Sequence, residues 1–291
     1  MVKETENIFG FINIDKPKGM TSHDVVAILR RITKIRQIGH TGTLDPFATG
    51  VLPVCIGKAT RLIEFLEDDK AYFATVKFGA NTDTYDLEGE ITETFDKKVS
   101  LEEIELALKD FSGEIEQFPP IYSAIKVNGK KLYEYARKGE TVEIKPRKVV
   151  INKIKLVDFD ESEQIAKIEV ACSKGTYIRS IAYDLGKNLG CGAHLIALTR
   201  SQAGKFSLNN AISLENLSLE DVKNNIINPI DVLPFEQINV SENELAKIKN
   251  GIAIQNPTNE INKHFTLISD NKICAIGFSK DNSISLKKVF L

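Results

Sequence analysis

A chain of 291 residues with 42% apolar and 27% charged residues has the make-up of an ordinary globular protein, long enough for one large domain with an appendage or two unequal domains. Gly, Pro or polar residues interrupt every long uncharged stretch, which excludes a helical membrane span from the reading. The net charge of -2 neither announces nor excludes a nucleic-acid partner, because basic runs are offset by acidic ones such as Glu67-Asp68-Asp69.

The N-terminal segment MVKETENIFGFINIDKP lacks a basic stretch followed by an apolar run and reads as an uncleaved cytoplasmic start. Residues 10–15 (GFINID) predict a strand ended by the turn KPKG. Thr21 offers an N-cap for a helix with Val25, Val26, Ile28, Leu29 and Ile32 inward and Arg30, Arg31 and Lys34 outward. GHTGTLDPFATG reads as a loop, VLPVCIG as a buried strand, KATRLIEFLEDD as a helix and residues 72–79 as a strand. A helix over 101–111 starts weakly at Ser100, and the stretch QFPPIYSAIKVNGKKLYEYARKGE is irregular, then basic and aromatic. VVINKIKLVDF and QIAKIEVACS read as strands, TYIRSIAYDLGKNLG as a helix. INPIDVLPF, with two prolines, marks a boundary before a small piece with strand-like FTLIS, KICAIGF and ISLKKVF and little core of its own. Strands and helices do not alternate, so the expected class is α+β, with a central mixed, largely antiparallel sheet flanked by helices and loops. The expected domains are 1–236, with an insertion at about 118–150, and 237–291.

The four cysteines form no C-x-x-C pair, and Cys191 with His194 in CGAH lacks a second pair to complete a zinc site; no metal is expected, and buried free thiols fit a reducing compartment. GHTGTLDPFATG is no phosphate loop, since Gly57-Lys58 is followed by Ala59 and Leu52 stands where the first Gly belongs. A Gly- and Thr-rich loop lets backbone approach a partner closely, and Asp45 is its one carboxylate. It reads either as a turn residue before Pro46 or as a reactive group. Arg179 falls in the first turn of its helix, where the dipole disfavours a cation, so either a carboxylate holds it or it points outward. Tyr72 reads as strand core. Two basic regions are candidate phosphate contacts or solvated faces: Arg30, Arg31, Lys34, Arg36 and His40, and residues 126–153, with nine Lys or Arg against three Glu. Within the second, Lys130, Lys131, Arg137 and Lys138 interleave with Tyr133 and Tyr135, as a stacking and charge surface for RNA or as the polar face of an amphipathic helix.

Taken together, IDKPKGMTSHDVV, GHTGTLDPFATGVLP, YSAIKVNGKKLYEYARKGE and CSKGTYIRSIAYDLGKNLGCGAHLIALTR resemble, in this order, the motifs of the TruB family of tRNA pseudouridine synthases, over residues 10–206. The resemblance implies isomerisation of the T-loop uridine of tRNA (position 55) to pseudouridine on a flipped-out nucleotide. It makes Asp45 the nucleophile, Arg179 its partner and Tyr72 a stacking group that can serve in proton transfer. His40 would hold the flipped nucleotides, Tyr177 and Leu198 would line the uracil pocket, and Asp86 would sit near the target. Lys16 and Pro17 would brace the catalytic loop, and Lys130, Lys131, Arg137 and Lys138 would belong to an RNA-clasping insertion. Thr199 stands where many relatives place a second Arg. The tail resembles a reduced PUA-like RNA-binding domain. The implied reaction asks for no cofactor, and the implied partner is the tRNA T-arm, met by a cytoplasmic monomer with no membrane or protein partner. A non-catalytic RNA-binding protein and a tRNA chaperone are the rival readings.

Overall fold

The computed structural model describes residues 8–291; the reading of the first residues as a cytoplasmic start falls largely on 1–7, outside them. The first strand, β1 (Gly10–Lys16), is buried on both faces. Ile12 and Ile14 enter one core and Phe11 the other, the pattern of a strand covered on both sides. Helix α1 (Ser22–Thr33) begins at Thr21, whose side chain accepts from Asp24 N while Asp24 returns the bond to the Thr21 backbone. This reciprocal cap satisfies two of the donors left open at a helix start. Val25, Val26 and Leu29 are buried, and Ile28 and Ile32 half-buried.

Strand β2 (Thr49–Ile56) follows the glycine-rich loop. The segment after it, expected as an α-helix, is a 3-10 helix over Gly57–Phe65 with no side-chain cap. Its buried residues, Ala59 and Leu62, are three apart, which matches the three-residue turn of that tighter helix. Strand β3 (Lys70–Phe78) turns Tyr72, Ala74, Val76 and Phe78 into the core and leaves Phe73 exposed. Helix α2 (Leu101–Leu108) starts more firmly than its sequence suggests, because Ser100 and Glu103 form a full capping box.

Strands β4 (Gly113–Gln117), β5 (Arg147–Asp160) and β6 (Ile165–Cys172), helix α3 (Ile178–Leu189) and strands β7 (Ala193–Ala203) and β8 (Ile212–Ser213) complete the main unit. The sheet runs β8-β1-β2-β7-β3-β6-β5-β4 and counts ten strands with two short side pairings. Only β1 with β8 and β2 with β7 pair in parallel along this path. The architecture is the expected α+β class with a mixed, largely antiparallel sheet.

Strand β7 is central, yet its sequence does not announce a strand. Bulges between Leu195 and Ala197 and between Arg200 and Gln202 shift its side-chain period, so apolar residues do not alternate cleanly. Gly50, at φ +97°, lets β7 approach, since a Cβ there would lie 2.3 Å from Arg200 O.

Between β4 and β5 the basic, aromatic stretch forms a small hairpin, Lys126–Val127 with Lys130–Lys131, and a short helix, Leu132–Ala136. Leu132 is fully buried there. Farther along the same run, Lys148 pairs with Glu114 and Lys153 with Glu169 across the sheet, so their charges are spent within the fold.

A second sheet is built from Glu236–Asn239, Ile254–Gln255, His264–Ser269, Lys272–Lys280 and Ser283–Val289. Its Ile268, Ile273, Ile276 and Phe290 share a core with Phe11, Val51 and Phe206 of the main unit. Arg61 Nη1 also donates to Val289 O at 2.8 Å.

Helix α3 packs very closely on the turn before β7: a Cβ on Gly186 would lie 2.2 Å from Ala193 N and 2.4 Å from Gly192 C. Backbone cannot give way as a side chain can. Gly186→Ala should therefore cost about 1–3 kcal/mol of stability through overpacking, and lower Tm by roughly 2–4 °C per kcal/mol. Thermal unfolding followed by circular dichroism checks this, and an unchanged Tm would show that the helix shifts freely.

Candidate active site

A cleft of about 300 Å³ opens where the glycine-rich loop, β3, the start of α3 and β7 converge. The loop owes its shape to anchors on both sides of Asp45. Leu44 and Phe47 are buried in the main core. Leu44 N donates to Ser22 Oγ at 2.9 Å, and Ser22 Oγ donates back to Leu44 O at 3.2 Å. Pro46 O accepts from Gly19 N at 2.8 Å and from Lys16 Nζ at 3.3 Å.

Lys16 is fully buried and spends its other donors on Pro17 O at 2.8 Å and Met20 O at 2.7 Å. Burial lowers its pKa to about 8, while the Asp45 carboxylate pulls the other way. Lys16 thus ties the first strand to the loop, and Pro17 supplies a carbonyl acceptor.

Arg179 sits on α3 one residue beyond the first helical position, with 5% of its surface exposed. Its Nε lies 3.0 Å from Asp45 Oδ2 and its Nη2 3.4 Å from Asp45 Oδ1. The Nε hydrogen is not aligned on an acceptor, so the contact is an ion pair more than a straight hydrogen bond. Nη1 donates to Thr84 O and Nη2 to Tyr122 O, both at 3.0 Å. A second carboxylate, Asp86, stands 3.3 Å from Nη1. Asp86 accepts from Thr84 Oγ1 at 2.7 Å and Glu88 N at 3.0 Å. Asp86 itself is not on the cleft lining and meets the cleft through Arg179.

One guanidinium is therefore shared between the buried Asp86 and the half-exposed Asp45. Burial raises the pKa of Asp45, Arg179 draws it down, and Asp86 raises it again; the net direction is upward. The carboxylate still reaches the cleft, with 36% of its side chain exposed.

Tyr72, Tyr177 and Leu198 also line the cleft. Burial pushes the phenols of Tyr72 and Tyr177 up, which keeps them protonated at neutral pH. Tyr177 is the N-cap position of α3 but offers no side-chain cap. Gln117 substitutes: its Oε1 accepts from Tyr177 N at 2.7 Å and its Nε2 donates to Tyr177 O at 2.9 Å. Nothing in the sequence pointed to Gln117, which acts from the end of a distant strand.

Other expected site residues are not on the lining. His40 meets His23 edge to face at 5.4 Å, and its buried Nδ1 has no partner. Burial lowers its pKa to about 4, so the ring is neutral at pH 7. Lys130 lies over the Tyr135 ring at 5.7 Å, and Lys131 and Arg137 over Tyr133 at 5.3 Å each. Lys138 is exposed beside them. This insertion reaches the cleft through Ser123 and Ala124 instead.

Sequence reasoning missed Arg200 and Lys70, which both line the cleft. Thr199 turns away to bond Thr49 at 2.9 Å. Strand period supplied the signal: if Leu198 faces the cleft, so does the residue two positions on.

Solved structures share this fold. The archaeal box H/ACA sRNP Nop10–Cbf5 complex contains a chain with TM-score 0.70 at 25% identity, covering 99% of this chain and 88% of that one. A chain of an H/ACA RNP bound to a substrate RNA containing 2′-deoxyuridine gives TM-score 0.72 at 24% identity, over 97% and 85%. The class of protein is thus one with the pseudouridine synthase fold. At the sequence level, the profile for TruB family pseudouridylate synthase (N terminal domain) matches residues 30–178, and that for the tRNA pseudouridylate synthase B C-terminal domain matches 179–233. The tRNA pseudouridine synthase B of Clostridium novyi (strain NT) is 44% identical over 97% of this chain and 99% of its own. That of Caldanaerobacter subterraneus subsp. tengcongensis is 42% identical over 98% and 100%. The chain belongs to the TruB family of pseudouridine synthases and is an isomerase.

Proposed function

We propose that this protein converts the T-loop uridine of tRNA, position 55, to pseudouridine, with Asp45 as nucleophile. The observation that carries this reading is the Asp45–Arg179 ion pair, set in a cleft walled by Tyr72, Tyr177 and Leu198. The relatives' name supports tRNA as the substrate. In the reaction the N1–C1′ bond breaks, the base turns, C5 joins C1′, and the C5 proton leaves as N1 gains one. The overall change is an isomerisation, so the protein must supply a negative charge at the sugar or base, hold the freed uracil, and keep water out.

Arg179 keeps Asp45 available as a carboxylate against its burial. Extruding the nucleotide costs a few kcal/mol of stacking, which Tyr72 and His40 offset in part. Residues 1–236 serve as the catalytic unit, and 237–291 as a PUA-like RNA-binding appendage. Among the described residues no helix is long and apolar enough to cross a membrane; we take the protein to act as a cytoplasmic monomer. The test is tritium release from a T-arm hairpin carrying a C5-labelled target uridine. Release matched by pseudouridine in the product is expected, and no release from purified, folded protein would overturn the reading.

The shared guanidinium gives turnover a particular pH profile. Asp45 must be ionised to act, and its pKa is raised, so kcat should fall on the acid side above the usual carboxyl value of about 3.9. The Asp86 charge contributes to that rise. Asp86→Asn should therefore move the acid limb to lower pH, as read from kcat across pH 4–8 on the hairpin. A limb that moves upward would contradict the electrostatic account.

Binding gives a further expectation. Replacing Lys130, Lys131, Arg137 and Lys138 with Ala should weaken binding of the hairpin and flatten its salt dependence. Each lost phosphate contact removes roughly 0.7 to 0.9 from the slope of log affinity against log salt. The rate at saturation should change less, because these side chains stay off the cleft. Binding isotherms at several salt concentrations decide it, and an unchanged slope would make the run a solvated face.

A further inference from the structure

The cleft is electrically lopsided. At one end Arg179 is matched by Asp45 and Asp86. At the other, Arg200 has 1% of its surface exposed, yet among the described residues no carboxylate lies within ion-pair distance of it. Its Nε donates to Val51 O at 2.7 Å and its Nη2 to Gly42 O at 3.1 Å, and both acceptors are neutral carbonyls. Its Nη1 is buried with no aligned acceptor, and the one polar side chain beside the guanidinium is the neutral phenol of Tyr72. A buried guanidinium costs several kcal/mol to desolvate unless an anion compensates it.

Lys70 adds a second cation on the same lining. Its Nζ donates only to the backbone oxygen of Asp68, at 2.8 Å, while the Asp68 carboxylate is engaged by Lys174 at 2.6 Å. Burial lowers the Lys70 pKa, and the Arg200 charge lowers it further. Between the two cations the wall is Gly42: a Cβ there would lie 3.5 Å from Lys70 Cε and 3.6 Å from Arg200 Nη1. Gly42 is not at positive φ, so what it provides is space and not a special backbone angle. Tyr72 is the cross-strand partner of Arg200.

Two uncompensated cations, one free N–H and an open wall between them make an anion seat within the cleft. We propose that Arg200 and Lys70 seat a phosphodiester flanking the extruded uridine, in the space Gly42 leaves open. This rests on the reading of the cleft as the place where the uridine is isomerised. A phosphate fits because it offers several acceptor oxygens to a guanidinium N–H and an ammonium together. The seat fixes the nucleotide's backbone at one end while the sugar and base face Asp45 at the other.

The experiment uses T-arm hairpins in which the phosphate 5′ or 3′ of the target uridine is an uncharged methylphosphonate. They are compared on the wild type, Lys70→Met and Gly42→Ala, since removing Arg200 would strand two carbonyls and endanger the fold. Thermal melts confirm folding; the Gly42→Ala methyl meets its neighbours at ordinary contact distance. One of the two methylphosphonates should raise wild-type KM by about tenfold, the scale of a lost charge-assisted contact. Lys70→Met should raise KM for the unmodified hairpin several-fold, and on this variant the same methylphosphonate should add less than about twofold. Gly42→Ala should behave likewise. Fully multiplicative effects, or no effect of either methylphosphonate, would overturn the seat. The same coupling is read in Kd by fluorescence anisotropy. A protein that binds these hairpins without converting them would therefore fail the functional reading and still decide the seat.

Discussion

Asp45→Ala should abolish measurable turnover while leaving affinity for the T-arm within about tenfold, or roughly 1.4 kcal/mol. Asp45 is the carboxylate that opens on the cleft, whereas affinity for RNA comes mainly from phosphate contacts made elsewhere. The fold should survive the change. Leu44, Phe47, Ser22 and Lys16 hold the loop without using the Asp45 side chain. Arg179 keeps Asp86 and the carbonyls of Thr84 and Tyr122. Stability should even rise. The folded pKa of Asp45 lies above its unfolded value, so at neutral pH the fold bears a penalty for holding the ionised form. That penalty grows as pH rises from the unfolded to the folded value, is constant above it, and vanishes with the carboxyl group. A Tm equal to or above wild type, together with no pseudouridine, is the expected pair of results. Pseudouridine from the purified variant would remove Asp45 from the reaction.

How far the sequence foretold this arrangement depended on how local its causes were. The cap at Thr21 was visible in the chain, whereas the start at Ser100 read as weak and proved a full capping box with Glu103. The first strand showed itself through an apolar run ended by a Lys-Pro turn, and the loop around Asp45 through its glycines and threonines. The contact of Asp45 with Arg179 spans 134 positions; nothing but a strained helix start at Arg179 and the family resemblance brought the two together on paper.

What escaped was set by tertiary context. Bulges in β7 hid the strand as a whole, although the regular stretch from Leu198 to Arg200 between them keeps its period. A three-residue burial period turned an expected α-helix after β2 into a 3-10 helix. The basic run looked uniform in sequence, but Lys148 and Lys153 lie opposite glutamates on neighbouring strands, which no linear charge count reveals. Gln117 orients Tyr177 from a separate element. It carries no motif, because its work depends only on where the fold places an amide.

Arg179→Lys should not be a mild change for turnover, although it keeps the charge. Arg179 meets Asp45 with Nε and Nη2 and at the same time reaches Thr84 O, Tyr122 O and Asp86. A guanidinium spreads its donors in a planar fork and can serve all of these at once; an ammonium has three donors at one point. A lysine at this position must therefore choose between the carboxylates. If it sits between Thr84 O and Asp86, Asp45 loses its partner, its pKa rises further and less of it is ionised at neutral pH. If it leans to Asp45, Asp86 and two carbonyls are left buried without a donor, at about 1–3 kcal/mol for each unsatisfied group. Either way kcat should fall by at least about tenfold, equivalent to about 1.4 kcal/mol on the barrier, and in the first case the acid limb of the pH profile is also displaced upward. Asp86→Asn on the Arg179→Lys background separates the two outcomes. It frees the lysine for Asp45 and should restore part of kcat, whereas on the wild-type background it only shifts the acid limb down. Near wild-type kcat for Arg179→Lys alone would mean that the two-pronged contact is incidental to the reaction.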